Sequence, residues 1–349
     1  MPPKSPENTN TRYNLPKSNQ AIEAGISQVT APDAPAPINR RAIPAAARES
    51  LWHAADGHAI RRIDWPCAAV RPRGALLFLP GRGDAYEKYL ETLDRWHRQG
   101  WRVTALDWRG QAGSGRLGAD PFTGHISDFG QWIDDLSAFW AQWRGESPGP
   151  HVLAGHSMGG HLVLRAVAER RVDPAALVLS APMLGFLGAL PSCLMHAAAR
   201  LMASLGDRRR PAWKWSEKPG QLPEDRIALL THDQARYDDE VWWREARPEL
   251  VMGPGSWGWV ERAYASMRGL ERPGVLEAVQ VPVFIAATTA DALVSFPAIA
   301  RAARRLVRCE LLTLGPEARH EVLREADPVR SRVLAAIDAF LDRAAPAQG

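Results

Sequence analysis

A short glycine-flanked segment near the middle of the chain carries the residues best suited to covalent chemistry. The segment is Gly155-His156-Ser157-Met158-Gly159, and it joins the apolar run HVLAG to a stretch with helical spacing. A tight turn from a strand into a helix lifts a serine clear of the sheet, and it leaves no room for side chains at Gly155 and Gly159. The helix start also favours negative charge at the serine. The pattern predicts Ser157 as a nucleophile; the alternative is a glycine turn that only leads into a helix.

A serine nucleophile needs a general base, and the base needs an acid that orients it. In chains with this turn, the three groups follow in the order serine, acid, histidine. Of the ten histidines, only His320 follows the last strand-like run, and Asp291 is the only acid between residues 281 and 308. We therefore predict His320 as the base and Asp291 as the orienting acid. The alternatives are a surface-loop histidine and a helix N-cap, respectively.

Two backbone N–H groups are expected to form an oxyanion hole beside the serine. One belongs to Met158, which follows the nucleophile, and the other is assigned to Arg82 in the glycine-rich loop 80–84. The Arg82 side chain is expected to pair with Asp84 or Glu87; the alternative is contact with an anionic head group of a substrate.

The sequence offers no convincing metal or cofactor motif. Residues 113–118 match G-x-G-x-x-G, but Pro121 follows and no helical pattern begins before Ser127, so a glycine loop is favoured over a dinucleotide site. The three cysteines are too far apart in sequence for a zinc ribbon or a redox dithiol; they are Cys67, Cys193 and Cys309. We expect neither a metal nor an organic cofactor.

Apolar runs alternate with helical patterns along most of the chain, and this alternation is what must position the candidate residues. The runs begin near residues 74, 101, 151, 175, 281 and 309, and a hairpin is predicted around Asp56-Gly57. Strands that alternate with helices predict an α/β fold, in which a mostly parallel sheet has helices on both faces.

The alternation stops between residues 183 and 270, which we interpret as an insertion between two strands of the core. Residues 49–182 and 271–345 are then the core, and residues 1–48 are predicted to be a flexible, proline-rich leader. The insertion contains six of the fourteen tryptophans. It also contains a basic cluster, interpreted as a solvated loop or as a contact with anionic lipid; its members are Arg208, Arg209, Arg210, Lys214 and Lys218.

The composition is that of a globular protein. The 349 residues are 46% apolar and 23% charged, which excludes a wholly disordered chain, a collagen and a disulfide scaffold. The net charge of +4 arises from interspersed acids and bases, so nucleic acid is not an expected partner. The stretch 175–199 has no charged side chain, and we interpret it as a buried strand and an apolar surface element rather than a transmembrane helix.

Together, these segments resemble the α/β-hydrolase superfamily, in particular its monoacylglycerol lipase and bacterial lysophospholipase group of serine aminopeptidase-like hydrolases. The resemblance rests on residues 78–89, 107–116, 125–136, 153–165, 253–267 and 318–330. It implies an eight-stranded, mostly parallel sheet and an inserted helical lid over the serine. Pro80 and Ala290 depart from the histidine and glycine that many members have there, without removing a catalytic group.

The resemblance also implies the reaction, which is cleavage of the carboxylic ester of a single-acyl-chain lipid through an acyl-enzyme. The substrate class is a lysophospholipid or a monoacylglycerol. Alternatives are an aminopeptidase or thioesterase on the same triad, and a hydrolase-fold binding protein without catalysis. The expected location is the cytoplasm, with the lid in peripheral contact with the inner face of the membrane; the oligomeric state is left open.

Overall fold

An eight-stranded sheet forms the centre of the computed structural model, which describes residues 38–67, 72–188, 190–214 and 226–347. The strand order is β1-β2-β4-β3-β5-β6-β7-β8. The pairs β1–β2 and β2–β4 are antiparallel, and the other five pairs are parallel. The predicted mostly parallel sheet and the hairpin are thereby confirmed. The strands are β1 (Arg48–His53), β2 (Ala59–Trp65), β3 (Gly74–Leu79), β4 (Trp101–Leu106), β5 (His151–His156), β6 (Ala176–Ser180), β7 (Val283–Thr288) and β8 (Cys309–Leu314).

Helices cover both faces of this sheet, as the alternating strands and helices of the sequence predict. Along β3, Leu76 and Phe78 belong to the buried apolar cluster that contains residues of α1 and α9, whereas Ala75 and Leu77 belong to the cluster that contains residues of α2 and α3. Successive residues of a strand point to opposite faces, so both faces of β3 must be apolar. The helices are α1 (Leu90–Arg98), α2 (Phe129–Trp143), α3 (Met158–Ala168), α4 (Ser192–Ser204), α5 (Ile227–Leu230), α6 (Gln234–Ala246), α7 (Trp257–Leu270), α8 (Phe296–Arg305) and α9 (Asp327–Ala344).

The last part of the predicted leader is bound to the folded chain. The Nε atoms of Arg40 and Arg41 donate to the two carboxylate oxygens of Asp239 on α6, at 2.5 and 2.6 Å. The indole N–H of Trp243, also on α6, donates to the backbone oxygen of Arg40 at 2.8 Å. These contacts fix Arg40 and Arg41 ahead of β1, and the bounds of the leader, residues 1–48, stay a prediction. Residues 1–37 of that leader lie outside the described residues.

The predicted insertion 183–270 contains α4 to α7. Helix α7 packs on the core, where the Trp259 and Phe129 ring centroids are 6.1 Å apart. The uncharged stretch 175–199 divides into β6 and the start of α4, with Pro191 at the N-cap position. Among the residues with described placement, none of the helices is long and apolar enough to cross a membrane. The assignment of 183–270 as a separate lid stays a prediction.

Candidate active site

Ser157 occupies a strained turn between β5 and α3. Its φ angle is +50°, in the left-handed region that non-glycine residues rarely adopt. A Cβ atom at Gly159 would collide with the backbone oxygens of Leu79 and Pro80, and one at Gly155 would lie 2.7 Å from the carbonyl carbon of Gly159. The first turn of α3 therefore lies directly against the end of β3, and only glycine permits so close an approach. This packing orients the Ser157 hydroxyl.

The three predicted site residues come together at the carboxyl edge of the sheet. The Nε2 atom of His320 lies 2.9 Å from Oγ of Ser157, and its Nδ1 atom lies 2.7 Å from Oδ2 of Asp291. Asp291 follows β7, and His320 lies in the loop between β8 and α9. His320 and Asp291 are buried, whereas Ser157 is partly accessible. This is the arrangement in which a histidine can take the serine proton while the carboxylate fixes its tautomer.

The Asp291 carboxylate is held on both of its oxygens. Oδ1 accepts the backbone N–H groups of Leu293 and Val294 at 2.8 and 2.9 Å, while Oδ2 faces His320. Burial acts to raise the pKa of Asp291, but the hydrogen bonds from His320 and from the two amides outweigh it, so the pKa lies below its usual value. Ser295, not Asp291, caps α8.

The glycine-rich loop after β3 lies against Ser157, the predicted nucleophile. A Cβ atom at Gly81 would be 3.2 Å from Cβ of Ser157. The N–H of Gly81 donates to Asp84 at 3.2 Å, and the N–H of Gly83 donates to Gln111 at 2.8 Å. Both backbone N–H groups that flank Arg82 are therefore already bound, one to Asp84 within the loop and the other to Gln111 outside it. The N–H groups of Arg82 and Met158 stay our predicted oxyanion donors.

The Arg82 side chain joins this loop to the insertion. Its guanidinium donates to the backbone oxygen of Gly253 at 2.7 Å and lies 5.1 Å from the ring centroids of both Trp213 and Trp259. The expected partners are bound by other cations: Asp84 by Lys88, and Glu87 by Arg61 and Arg247. Asp84 and Glu87 were the expected partners of Arg82 because they are close to it in sequence, but the Arg82 side chain lies toward the two tryptophans.

Two further histidines close to Ser157 in sequence are buried. His156 lies with its ring centroid 4.8 Å from that of His320, and burial together with the charge of His320 lowers the pKa of His156 to about 4. His161 contacts the Ser266 hydroxyl at 2.7 Å, and burial lowers its pKa to about 3. Both imidazoles are therefore neutral near pH 7, so they add no charge beside His320.

A buried cluster that the sequence patterns did not indicate lies behind His320. Atoms of Asp84, His156 and Glu321 lie within 4.8 Å of one another, a grouping that could hold a metal ion. The ammonium of Lys88 already binds this group, at 2.5 Å from both Asp84 and Glu321. The two carboxylates of this group are therefore already bound to a side-chain cation. Its members are far apart in sequence, so no local motif could have revealed it.

Comparison with known proteins decides the family. Residues 70–327 match the family model described as serine aminopeptidase, S33. The chain belongs to this S33 family. Lysophospholipase L2 of Escherichia coli (strain K12) is 30% identical over 307 residues, which are 80% of this chain and 85% of that protein. The probable lysophospholipase L2 of Haemophilus influenzae is 26% identical over 289 residues, 81% of this chain and 88% of that protein.

Solved structures share the fold of this S33 chain. A soluble variant of monoglyceride lipase from Saccharomyces cerevisiae, in complex with a substrate analog, superposes with a TM-score of 0.71 at 18% identity. The match covers 89% of this chain and 99% of that chain. The predicted α/β-hydrolase fold and the resemblance to the monoacylglycerol lipase and lysophospholipase group are confirmed.

Proposed function

We propose that this S33 chain is a serine ester hydrolase that cleaves the carboxylic ester of a single-acyl-chain lipid, either a lysophospholipid or a monoacylglycerol. The observation that carries the proposal is the 2.9 Å contact between the His320 imidazole and the Ser157 hydroxyl, with Asp291 on the far side of the ring. The names of the relatives, lysophospholipase L2 and monoglyceride lipase, support the substrate class.

The proposed reaction has two chemical steps. The oxygen of Ser157 attacks the ester carbonyl while His320 takes the hydroxyl proton, and the negative oxygen that forms faces the N–H groups of Met158 and Arg82. The carbon–oxygen bond to the glycerol portion then breaks, and His320 returns the proton to that leaving group. Water attacks the acyl-Ser157 ester by the same proton route and releases the fatty acid.

The apolar exterior of α4 supports a substrate that is delivered from a lipid surface. Most of this helix is exposed, and Leu194 and Leu201 lie two helical turns apart on one side of it, each more than half exposed. The basic cluster contributes less to the attraction toward anionic lipid than its charge suggests, because Arg208 pairs with Glu261 and Arg209 pairs with Asp207. Lys218 of that cluster lies outside the described residues. We propose a cytoplasmic location with peripheral contact at the membrane, which agrees with the free thiols of Cys67, Cys193 and Cys309.

Fatty acid release by the purified full chain tests the function. Monopalmitoylglycerol and palmitoyl lysophosphatidylcholine are offered at equal concentration, with Ser157→Ala as the blank. We expect release from at least one lipid and none above background from the variant. The preferred lipid identifies the head group, and the rate is expected to rise with acyl length from butyrate to palmitate, because each buried methylene contributes about 0.8 kcal/mol.

Labelling with a fluorophosphonate separates this proposal from its alternatives. Labelling of the wild-type chain but not of Ser157→Ala, without lipid hydrolysis, would redirect the assignment to an aminopeptidase or a thioesterase. An amino acid anilide and palmitoyl-coenzyme A would then be the next substrates. A folded wild-type chain that resists labelling would overturn the catalytic proposal and favour a binding protein.

A further inference from the structure

One buried ammonium joins three segments that are distant in sequence. The Nζ atom of Lys88 lies 2.5 Å from Asp84, 2.5 Å from Glu321 and 3.0 Å from Glu240. The Lys88 side chain is only 5% exposed, and the three carboxylates are 7% exposed or less. Charges so far from water are stable only when they are paired, so each of these contacts constrains the segment that supplies it.

The first contact fixes the loop that carries the candidate oxyanion donor. Asp84 binds Lys88 through Oδ1, and its Oδ2 accepts the Gly81 N–H at 3.2 Å and the Tyr89 hydroxyl at 2.8 Å. Gly81 lies against Ser157 and directly precedes Arg82. A shift of the Asp84 carboxylate would therefore move the peptide next to the predicted Arg82 donor.

The second contact fixes the segment that carries the candidate base. Glu321 directly follows His320, and it binds Lys88 through Oε1 and Arg324 through Oε2. Its backbone N–H donates to the Leu230 oxygen of α5 at 2.8 Å. The residue next to His320 is thus held by both its side chain and its backbone.

The third contact brings the predicted lid insertion into the same cluster. Glu240 belongs to α6, and it also binds Arg226 at 2.7 Å and Arg324 at 3.2 Å. Nearby positive charges lower the pKa values of Glu240 and Glu321 despite their burial, so the carboxylates stay ionised. An ammonium is a compact charge with three donors, which matches three carboxylates that approach from different segments.

We propose that Lys88 is a positioning residue. By binding Asp84 and Glu321 together, it holds the loop 80–84 and the His320 segment in one geometry. Its contact with Glu240 joins α6 to both segments. The proposal rests on the serine hydrolase function proposed above. Lys88 does not contact Ser157 or the reacting ester; it acts on the rate by fixing the distance between the oxyanion donors and the base.

The test compares Lys88→Met with Arg62→Met in hydrolysis of the soluble ester 4-nitrophenyl butyrate. We expect Lys88→Met to lower kcat by about tenfold to a hundredfold, because small misplacements of catalytic groups have effects of that size. We expect KM to change by less than about threefold, since the substrate pocket is left intact. Arg62 is itself buried and pairs with the partly exposed Asp64 and Glu146 at the β2 side of the sheet. Arg62→Met should lower Tm while kcat is unchanged.

Two further variants keep the test decisive if Lys88→Met does not fold. Asp84→Asn and Glu321→Gln each remove one charged contact at nearly constant volume, and each should lower kcat with little change in KM. Wild-type kcat in folded Lys88→Met, or in both of these variants, would overturn the proposal. Equal losses of kcat in Arg62→Met and Lys88→Met would do the same. Failure of the proposed function looks different, because the wild-type chain itself would then neither hydrolyse esters nor react with a fluorophosphonate.

Discussion

Asp291 is a buried carboxylate that accepts a hydrogen bond from His320 on one oxygen and two backbone N–H groups on the other. Its lowered pKa keeps it ionised at neutral pH, so in the proposed reaction it would stabilise the imidazolium that forms when Ser157 loses its proton. An asparagine cannot accept on both sides. We expect Asp291→Asn to lower kcat on 4-nitrophenyl butyrate by about 10³ to 10⁴-fold, because the histidine then adopts the wrong tautomer.

The matched control for this variant is Asp56→Asn. Asp56 also binds a cationic side chain, that of Arg109, but it lies on the exposed turn between β1 and β2. Its substitution should leave kcat within about twofold of wild type, since no charge next to the reacting groups changes. A kcat for Asp291→Asn within tenfold of wild type would contradict the role assigned to Asp291.

Residue types and chain order were sufficient to predict which side chains meet at Ser157. His320 is the last histidine in the sequence, and Asp291 is the one acid in its segment, so few combinations were open. The Lys88 cluster could not be found in this way. Its acids stand at positions 84, 240 and 321, and only the folded chain brings them to one ammonium.

At the scale of elements, the sequence signal is strong where an apolar face is buried and weak where it is not. The buried strands β3, β5 and β6 appear as continuous apolar runs, which is why the core sheet was predicted. Helix α4 has a single buried residue, Ala199, and its leucines face outward. Amphipathic periodicity toward a core is therefore missing in α4, so this helix appeared in the sequence only as part of a break in the pattern.

The outward leucines of α4 predict a difference between dispersed and membrane-bound substrates. Leu194→Glu combined with Leu201→Glu should lower hydrolysis of monopalmitoylglycerol in phosphatidylglycerol-containing vesicles by about tenfold or more, because apolar contacts with the interface are lost. Hydrolysis of 4-nitrophenyl butyrate should be unchanged. Val307→Glu is the control, since Val307 is 60% exposed in the segment between α8 and β8. Equal rates for the double variant and Val307→Glu on vesicles would exclude α4 as the contact surface.

At the scale of the whole molecule, buried and partly buried histidines connect folding stability to pH. Burial is the main cause that lowers the pKa of four of them in the folded state; they are His125, His151, His156 and His161. In the unfolded chain each titrates near its usual value of about 6.5. The unfolded state therefore binds more protons as the pH falls, and the stability that these neutral histidines contribute is full above about pH 6.5 and is lost toward the folded-state pKa.

His161 offers the clearest measurement of this effect, because burial lowers its pKa to about 3 and its ring lies 2.7 Å from an uncharged hydroxyl, that of Ser266. We expect the wild-type free energy of unfolding, measured in urea, to decrease between pH 7 and pH 5. The His161→Gln variant should lose about 2 kcal/mol less over this range, since one histidine contributes about 1.4 kcal/mol per pH unit below pH 6.5. The exposed His53 provides the control, and His53→Gln should follow the wild-type curve. If the His161→Gln curve ran parallel to that of the wild type, protonation of the unfolded chain at this position would not be a source of the acid sensitivity.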